Sequence, residues 1–133
     1  MWITLVPTLT TDVSRFIWFQ GESDADLGLE PGAPLTTAYL GRLRDLVARI
    51  RALTNPDLFV VVCGLTNYPD GQQRFDAIRA QQQLFAATDR NAIYLSTLDL
   101  PSEQSQHLTD EGYRLLAARI GAMAVPRPST LPR

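Results

Sequence analysis

One stretch of the sequence, residues 18–24 (WFQGESD), sets polar side chains around a glycine directly after an apolar run. Gly21 follows the amide side chain of Gln20 and precedes the carboxylate of Glu22. A glycine at a strand end lets the backbone turn so that its N–H groups face a bound anion. Many strands end in such a turn without binding a ligand, so this stretch alone favours an ordinary turn over a site.

A second stretch, residues 107–113 (HLTDEGY), contains the only histidine of the chain. Thr109 is well suited to cap a helix, which puts His107 just before that helix. By itself, a loop histidine is more often a solvent-exposed residue than a catalytic base. With one histidine and one cysteine the chain cannot build a multi-histidine or thiolate metal centre, and we predict no cofactor.

Length and composition narrow the class of protein. A chain of 133 residues with 45% hydrophobic and 20% charged residues fits one globular domain. Its 12 Lys and Arg residues are spread out at a net charge of -2, so no basic patch attracts nucleic acid or an anionic membrane. Residues 1–7 lack a signal-peptide pattern, and no apolar window reaches membrane-spanning length. We therefore expect a soluble protein, cytoplasmic by default, with no nucleic-acid or membrane partner.

Three apolar runs alternate with three helical patterns along the chain. The runs are apolar at consecutive positions, which is typical of strands covered on both faces of a parallel sheet. They span residues 16–19, 58–63 and 92–98, and helices are predicted from 36 or 37 to 53, over 72–87 and over 109–123. Residues 23–37 are predicted to form a loop and residues 68–71 a turn. This order predicts a three-layer α/β fold with right-handed crossovers.

The same patterns predict part of the core. Cys63 ends the second apolar run, so we expect it to be a small buried hydrophobic residue. The helix over residues 72–87 is predicted to bury a stripe that contains Phe75, Ile78, Leu84 and Phe85.

Polar residues follow the carboxyl end of each predicted strand. Ligands bind at these ends in parallel α/β sheets. The residues concerned are Gln20, Gly21 and Glu22 after the first strand, Asn67 after the second and Asp99 after the third. The loop of His107 also follows the third strand. We therefore predict that Gln20, Gly21, Glu22, Asn67 and His107 converge on one cleft.

The pairing of WFQGESD at a strand end with a distal HLTDEGY resembles sialate O-acetylesterase-like and acetylxylan-esterase-like carbohydrate esterases of the SGNH hydrolase superfamily. The strings Arg79-Ala80-Gln81 and Asp99-Leu100-Pro101 are also similar to that family. The resemblance covers residues 16–121, most of the chain. It implies a three-layer αβα, flavodoxin-like fold and removal of acetyl groups from sugar hydroxyls, with an acetylated carbohydrate as partner.

The resemblance also implies roles for individual residues. His107 matches the general base that takes a proton from a serine hydroxyl. The Gly21 N–H and the Gln20 amide match donors to an oxyanion. Glu22, an acceptor when ionised, is expected to orient its neighbours and to pair with Arg79. Asp99 and Arg79 are supporting residues of the predicted site.

Two departures from the family pattern qualify these roles. The family nucleophile sits in a Gly-Gln-Ser-Asn-like motif well upstream of the QGE block, and this chain has no such motif. The position three before the histidine, often Asp in the family, is Gln104, with Glu103 as a possible substitute. We therefore expect an N-terminally truncated domain over residues 1–125, followed by a proline-rich tail over residues 126–133.

Alternative functions stay open at this point. The chain is an esterase domain whose serine comes from a separate chain, as in a split gene or an oligomer, or it is a catalytically dead structural or carbohydrate-binding module. An unrelated α/β binding protein is the third alternative. The absent first strand would leave an open edge beside Trp18. Residues 2–6 of this chain or another polypeptide, including a second copy, are expected to cover that edge.

Overall fold

The computed structural model describes residues 13–27, 34–103 and 106–124. The strands of this part of the chain are β1 (Arg15–Trp18), β2 (Phe59–Cys63) and β3 (Ala92–Leu95). Its α-helices are α1 (Glu22–Leu27), α2 (Pro34–Leu53), α3 (Gln72–Thr88) and α4 (Asp110–Gly121). The predicted turn before α3 is a short 3-10 helix at Pro69–Gly71. No helix within these ranges combines the length and the apolar character needed to cross a membrane.

The strands form one parallel sheet in the order β1-β2-β3. The central strand is covered on both faces, since Val60 to Cys63 have no exposed surface. The flanking strands each leave one isoleucine open, with Ile17 of β1 at 47% and Ile93 of β3 at 39% exposure. Coverage on both faces, which was predicted for all three strands, therefore holds only for β2 among these strands, and Phe59 at its start is half-buried.

Successive side chains of β2 point to opposite faces of the sheet, and each face has its own core. Val60 and Val62 pack in a cluster with residues of α1, α2 and α3. Val61 and Cys63 pack in a second cluster, with Leu116 and Ile120 of α4. This arrangement confirms the three-layer α/β fold. Cys63 is fully buried as predicted, and burial raises the pKa of its thiol to about 11.

The stretch predicted as a loop over residues 23–37 is wrong at both ends, because α1 starts at Glu22 and α2 starts at Pro34. The first turn of α1 contains the acidic Glu22 and Asp24, which favour the positive end of a helix dipole. Proline is well tolerated in the first turn of a helix, where its missing N–H would have no helical partner. The predicted caps at Thr36 and Thr37 thus lie inside α2.

The predicted start of α4 is confirmed. The Thr109 side chain accepts a hydrogen bond from the Gly112 N–H at 3.1 Å. Gly112 packs so closely on the Pro101 carbonyl that a β-carbon would lie 2.2 Å from its oxygen. At the other end of the helix, the guanidinium of Arg15 donates to the Ile120 and Met123 carbonyls at 2.8 and 3.0 Å. These contacts fix α4, and with it the loop that precedes it, against the sheet.

The buried stripe of α3 differs from the predicted one at Leu84, which is 48% exposed. Phe75, Ile78 and Phe85 are buried as predicted, and two polar residues, Arg79 and Gln82, join them. Hydrophobicity alone favours leucine over glutamine for burial, and here the hydrogen-bonding needs of the strand ends reverse that preference.

Candidate active site

The turn after β1 requires glycine. Gly21 has a φ of 144°, which residues with a side chain rarely adopt. A β-carbon there would lie 2.9 Å from Cγ2 of Ile78 and 3.2 Å from the ring of Tyr39. Backbone conformation and lack of space thus act together, and they bring the Gly21 backbone directly onto α2 and α3.

Glu22 orients this turn through its carboxylate. Its Oε2 accepts a hydrogen bond from the Gly21 N–H at 2.9 Å, and the Gly21 carbonyl accepts one from the Ala25 N–H at 2.9 Å. The expected orienting role of Glu22 therefore has a structural counterpart. In this conformation the Gly21 N–H is bonded to a carboxylate, which occupies the donor that an oxyanion would need.

Two side chains donate hydrogen bonds to the Gln20 carbonyl. It accepts from the Tyr39 hydroxyl at 2.8 Å and from Nε2 of Gln82 at 3.1 Å. The Tyr39 hydroxyl in turn accepts from Nε1 of Trp18 at 2.9 Å. Burial raises the pKa of Tyr39 to about 12, so the phenol is neutral and can donate. Sequence patterns identified neither Tyr39 nor Gln82 as a residue that holds this turn.

The end of β2 is held by Arg79, whose predicted pairing with Glu22 is wrong. Its Nη1 donates to the Leu65 carbonyl at 3.2 Å and to the Thr66 carbonyl at 2.7 Å, and its Nη2 pairs with the Asp76 carboxylate. Asp76 lies one turn earlier on the same helix, so this pair forms at close range. The Arg79 guanidinium holds the pKa of the Asp76 carboxyl below its usual range. Arg79 thus supports the end of β2 and does not pair with Glu22.

The loop of His107 is hydrogen-bonded to the end of β2 and to α1. The Thr66 hydroxyl donates to the Gln106 carbonyl at 2.9 Å, and the Gln106 amide donates to the Asp26 carboxylate of α1. The loop also pairs with the segment after β3, where the Glu103 N–H donates to the His107 carbonyl at 3.1 Å. The side chain of His107 is exposed. Residue 104, the predicted partner of the histidine (Gln104), lies outside the described residues.

These contacts bring the two chemistry-bearing stretches to the same edge of the sheet. Helix α1, which begins at Glu22, is hydrogen-bonded to the residue next to His107, and the exposed Asn67 follows Thr66 directly. A single cleft formed by Gln20, Gly21, Glu22, Asn67 and His107 stays a prediction.

Asp99 also follows the end of β3, and its carboxylate is engaged with α4. Both of its oxygens accept from the Arg119 guanidinium, at 2.7 and 3.0 Å. This partner holds the pKa of the Asp99 carboxyl below its usual range. In this conformation Asp99 joins the end of β3 to α4 through Arg119.

A cavity of about 160 Å³ lies beside Gln20 and is lined by residues of β1, α1 and α2. Trp18, Leu43 and Leu46 give it an apolar floor. Its rim is charged, where Asp24 and Arg42 approach to 3.4 Å. Through Gln20 and Asp24 this cavity adjoins the strand-end turn.

Comparisons with known proteins agree with this architecture. A family model described as carbohydrate esterase, sialic acid-specific acetylesterase, matches residues 5–125. No curated protein matches the chain. A crystal structure of a protein from Arabidopsis thaliana, at 1.6 Å resolution, is similar over 85% of this chain with 22% sequence identity and a TM-score of 0.64. The chain spans 46% of that protein, and at this identity the likeness supports the fold.

Proposed function

The chain belongs to the sialic acid-specific acetylesterase family of carbohydrate esterases, and on that premise we propose that it contributes the base and oxyanion side of an O-acetylesterase acting on acetylated sugars. The observation that carries the proposal is the attachment of the His107 loop to α1 and to the end of β2, through Gln106. That attachment supports a common site for the histidine and the QGE turn.

In the proposed reaction, a serine hydroxyl oxygen attacks the acetyl carbonyl carbon while His107 accepts the hydroxyl proton. The Gly21 N–H and the Gln20 amide donate to the resulting oxyanion. The bond to the sugar oxygen then breaks, and His107 returns the proton to that oxygen. Water attacks the acetyl-serine by the same route and releases acetate. The Gly21 N–H donates to Oε2 of Glu22 at 2.9 Å. It can donate to an oxyanion only after the Glu22 carboxylate has moved away.

The serine is proposed to come from a segment outside these 133 residues. Ser14 is on the wrong edge, because its carbonyl accepts from the N–H of Phe59 at the start of β2. Ser23 lies in the first turn of α1, and Ser102 pairs with Leu108 beside the histidine loop. Neither is followed by the asparagine of the family's nucleophile motif. Ser96 directly follows β3, and Ser105 lies two residues before His107 in the sequence. Ser23, Ser96, Ser102 and Ser105 are therefore the serines to exclude by substitution.

The test is an assay of the purified chain on p-nitrophenyl acetate and on an O-acetylated sialic acid. We expect no turnover above buffer, because His107 has no positioned hydroxyl to activate. Adding the serine-bearing segment should produce turnover that His107→Ala abolishes and Ser23→Ala leaves unchanged. Robust turnover by the chain alone, lost when Ser23, Ser96, Ser102 or Ser105 is replaced by alanine, would refute the outside serine while keeping the esterase. Turnover in neither setting would refute the esterase.

A catalytically dead carbohydrate-binding module is the second candidate. It is favoured by the internal engagement of groups at this edge, since Gly21 is bonded to Glu22 and Asp99 to Arg119. The two candidates differ in what happens to the ligand. A dead module binds an O-acetylated sugar, detected as shifts of the Gly21 and Asn67 amides, and leaves the acetyl group in place even with the serine-bearing segment present.

The open side of β1 is the proposed contact for that segment or for a second copy of the chain. Among the described residues β1 pairs with β2 alone. Trp18 lines the apolar cavity on one face of β1, and Ile17, which points to the opposite face, is half exposed. Open parallel edges promote association because their N–H and C=O groups are unpaired. The predicted cover by residues 2–6 lies outside the described residues.

A further inference from the structure

Helix α3 carries a glutamine with no exposed surface at all, Gln82. Burying an amide is unfavourable unless its polar atoms are hydrogen-bonded. Gln82 meets this condition with contacts to two different strand ends and to α2. Its Oε1 accepts from the Leu65 N–H at 3.3 Å, and its Nε2 donates to the Gln20 carbonyl and to the Tyr39 hydroxyl, each at 3.1 Å.

The partners leave one orientation for this amide. A glutamine has two N–H donors and one carbonyl acceptor, and here both donors and the acceptor have complementary partners. Turning the amide over would set its oxygen against the Gln20 carbonyl and its NH2 group against the Leu65 N–H. The side chain therefore acts as a spacer of fixed length between residues 20 and 65.

The spacing continues from residue 65 to the histidine loop. Arg79, one turn before Gln82, donates to the carbonyls of Leu65 and Thr66. The Thr66 hydroxyl donates to the Gln106 carbonyl, next to His107. One face of α3 thus holds the turn of Gly21 and, through the end of β2, the loop of His107.

We propose that Gln82 is a positioning residue, which sets the distance between the QGE turn and the β2 end that carries the histidine loop. The catalytic meaning of this role rests on the function proposed above, whereas the positioning itself does not. An apolar residue would fill the same core position at lower desolvation cost, so stability alone does not explain an amide there. A role in spacing two backbone segments that have no direct hydrogen bond to each other does explain the amide.

The test is amide hydrogen exchange, followed residue by residue by NMR on the full chain. Gln82→Met keeps the volume and removes all three hydrogen bonds, and we expect the Leu65 N–H to exchange about tenfold faster or more while amides within β3 keep their rates. Gln82→Glu keeps an acceptor for Leu65 but sets a carboxylate oxygen against the Gln20 carbonyl. We expect it to shift the Gly21 and Glu22 resonances and to leave Leu65 protected.

Gln73, exposed on the same helix, provides the matched controls. Gln73→Met and Gln73→Glu should leave the amides of residues 20–22 and 65 unchanged. Uniformly faster exchange across the sheet in both Gln82 variants would reduce Gln82 to a general packing residue and overturn the proposal. So would an unchanged Leu65 rate in Gln82→Met. If that variant does not fold, the selective pattern in Gln82→Glu decides.

The exchange experiment needs no turnover, so its failure is distinct from failure of the acetylesterase. Where the serine-bearing segment restores hydrolysis, a second readout applies. Gln82→Met should lower kcat on the order of tenfold with KM unchanged, since misplacing catalytic groups affects the chemical step. Gln73→Met should change neither constant. A rise in KM with kcat retained would assign Gln82 to substrate binding and contradict the positioning role.

Discussion

The sheet has one edge where its strands begin and one where they end, and different kinds of contact hold these amino-terminal and carboxyl-terminal edges. At the amino-terminal edge, the Arg51 guanidinium pairs with both oxygens of Asp89, at 2.6 and 2.9 Å, and also donates to the Leu58 carbonyl. Asp89 accepts in addition from the Asn91 N–H at 2.9 Å. This edge is a charged network that ties the starts of β2 and β3 to α2.

At the carboxyl-terminal edge neutral side chains supply several of the corresponding contacts. Gln82 and Tyr39 hold the end of β1, and the Thr66 hydroxyl holds the histidine loop. Charged side chains act here as well, since Arg79 donates to the Leu65 and Thr66 carbonyls and the Glu22 carboxylate accepts from the Gly21 N–H. After β3, Asp99 pairs with Arg119. Neutral hydrogen bonds fix positions without adding a field to the site, so charge that develops during a reaction meets fewer competing charges. The amino-terminal edge thus depends on one bidentate ion pair, whereas the carboxyl-terminal edge depends on several contacts to the strand-end backbone.

The comparison is tested most severely at Gly21. We expect Gly21→Ala to lower the free energy of unfolding by about 2–4 kcal/mol, because it combines a strained φ with a contact to Ile78 that cannot relax freely. Urea unfolding followed by circular dichroism measures this. The control is Gly41→Ala in α2, where a β-carbon meets nothing within 4 Å. It should stabilise the chain by about 0.5–1 kcal/mol, since alanine favours helix. Equal effects at both glycines would mean that the turn adapts.

The charged edge is tested at Arg51. Its side chain is 19% exposed, as is that of Asp89, so the pair is partly shielded from water. Arg51→Met removes the partner of a carboxylate and a donor to the Leu58 carbonyl, and we expect a loss of about 1–3 kcal/mol in the free energy of unfolding. The matched control is Arg119→Met, which breaks the equally bidentate but exposed pair with Asp99. No measurable change is expected there. A larger loss at Arg119 would reverse the ranking of the two pairs.

The smallest expected effect is a pH dependence. The Arg51 guanidinium, more than any other group, holds the pKa of the Asp89 carboxyl below its usual range. A carboxyl whose pKa is lower in the folded state stabilises the fold at pH values above its unfolded-state pKa of about 3.9. This stabilisation is lost as the pH falls through the folded-state pKa. Arg51→Met should therefore flatten the acid limb of a plot of unfolding free energy against pH. An acid limb as steep as in the parent chain would assign it to other carboxylates.

Local patterns predicted the elements with small errors at their ends. The consecutive apolar residues of β2 correctly predicted a strand buried on both faces, and Thr109 correctly predicted the start of α4. Helix α1 was missed because its six residues contain too few apolar positions to show a period. Leu84 was predicted to be buried because propensity and hydrophobicity, read along one helix, do not include what the neighbouring strand ends require.

The sequence by itself determined the α/β fold, the family and the edge at which the candidate groups lie. Each of these depends on local periodicity or on a short string such as QGE or HLTDEGY. Tertiary structure alone decided the partners of the buried polar groups: the Leu65 and Thr66 carbonyls for Arg79, and the Gln20 carbonyl for Gln82, 62 residues away. The physical reason is burial. An exposed polar group can bond to water or to any of several side chains. A buried polar group must bond to the donor or acceptor that the packing of distant elements brings within about 3 Å.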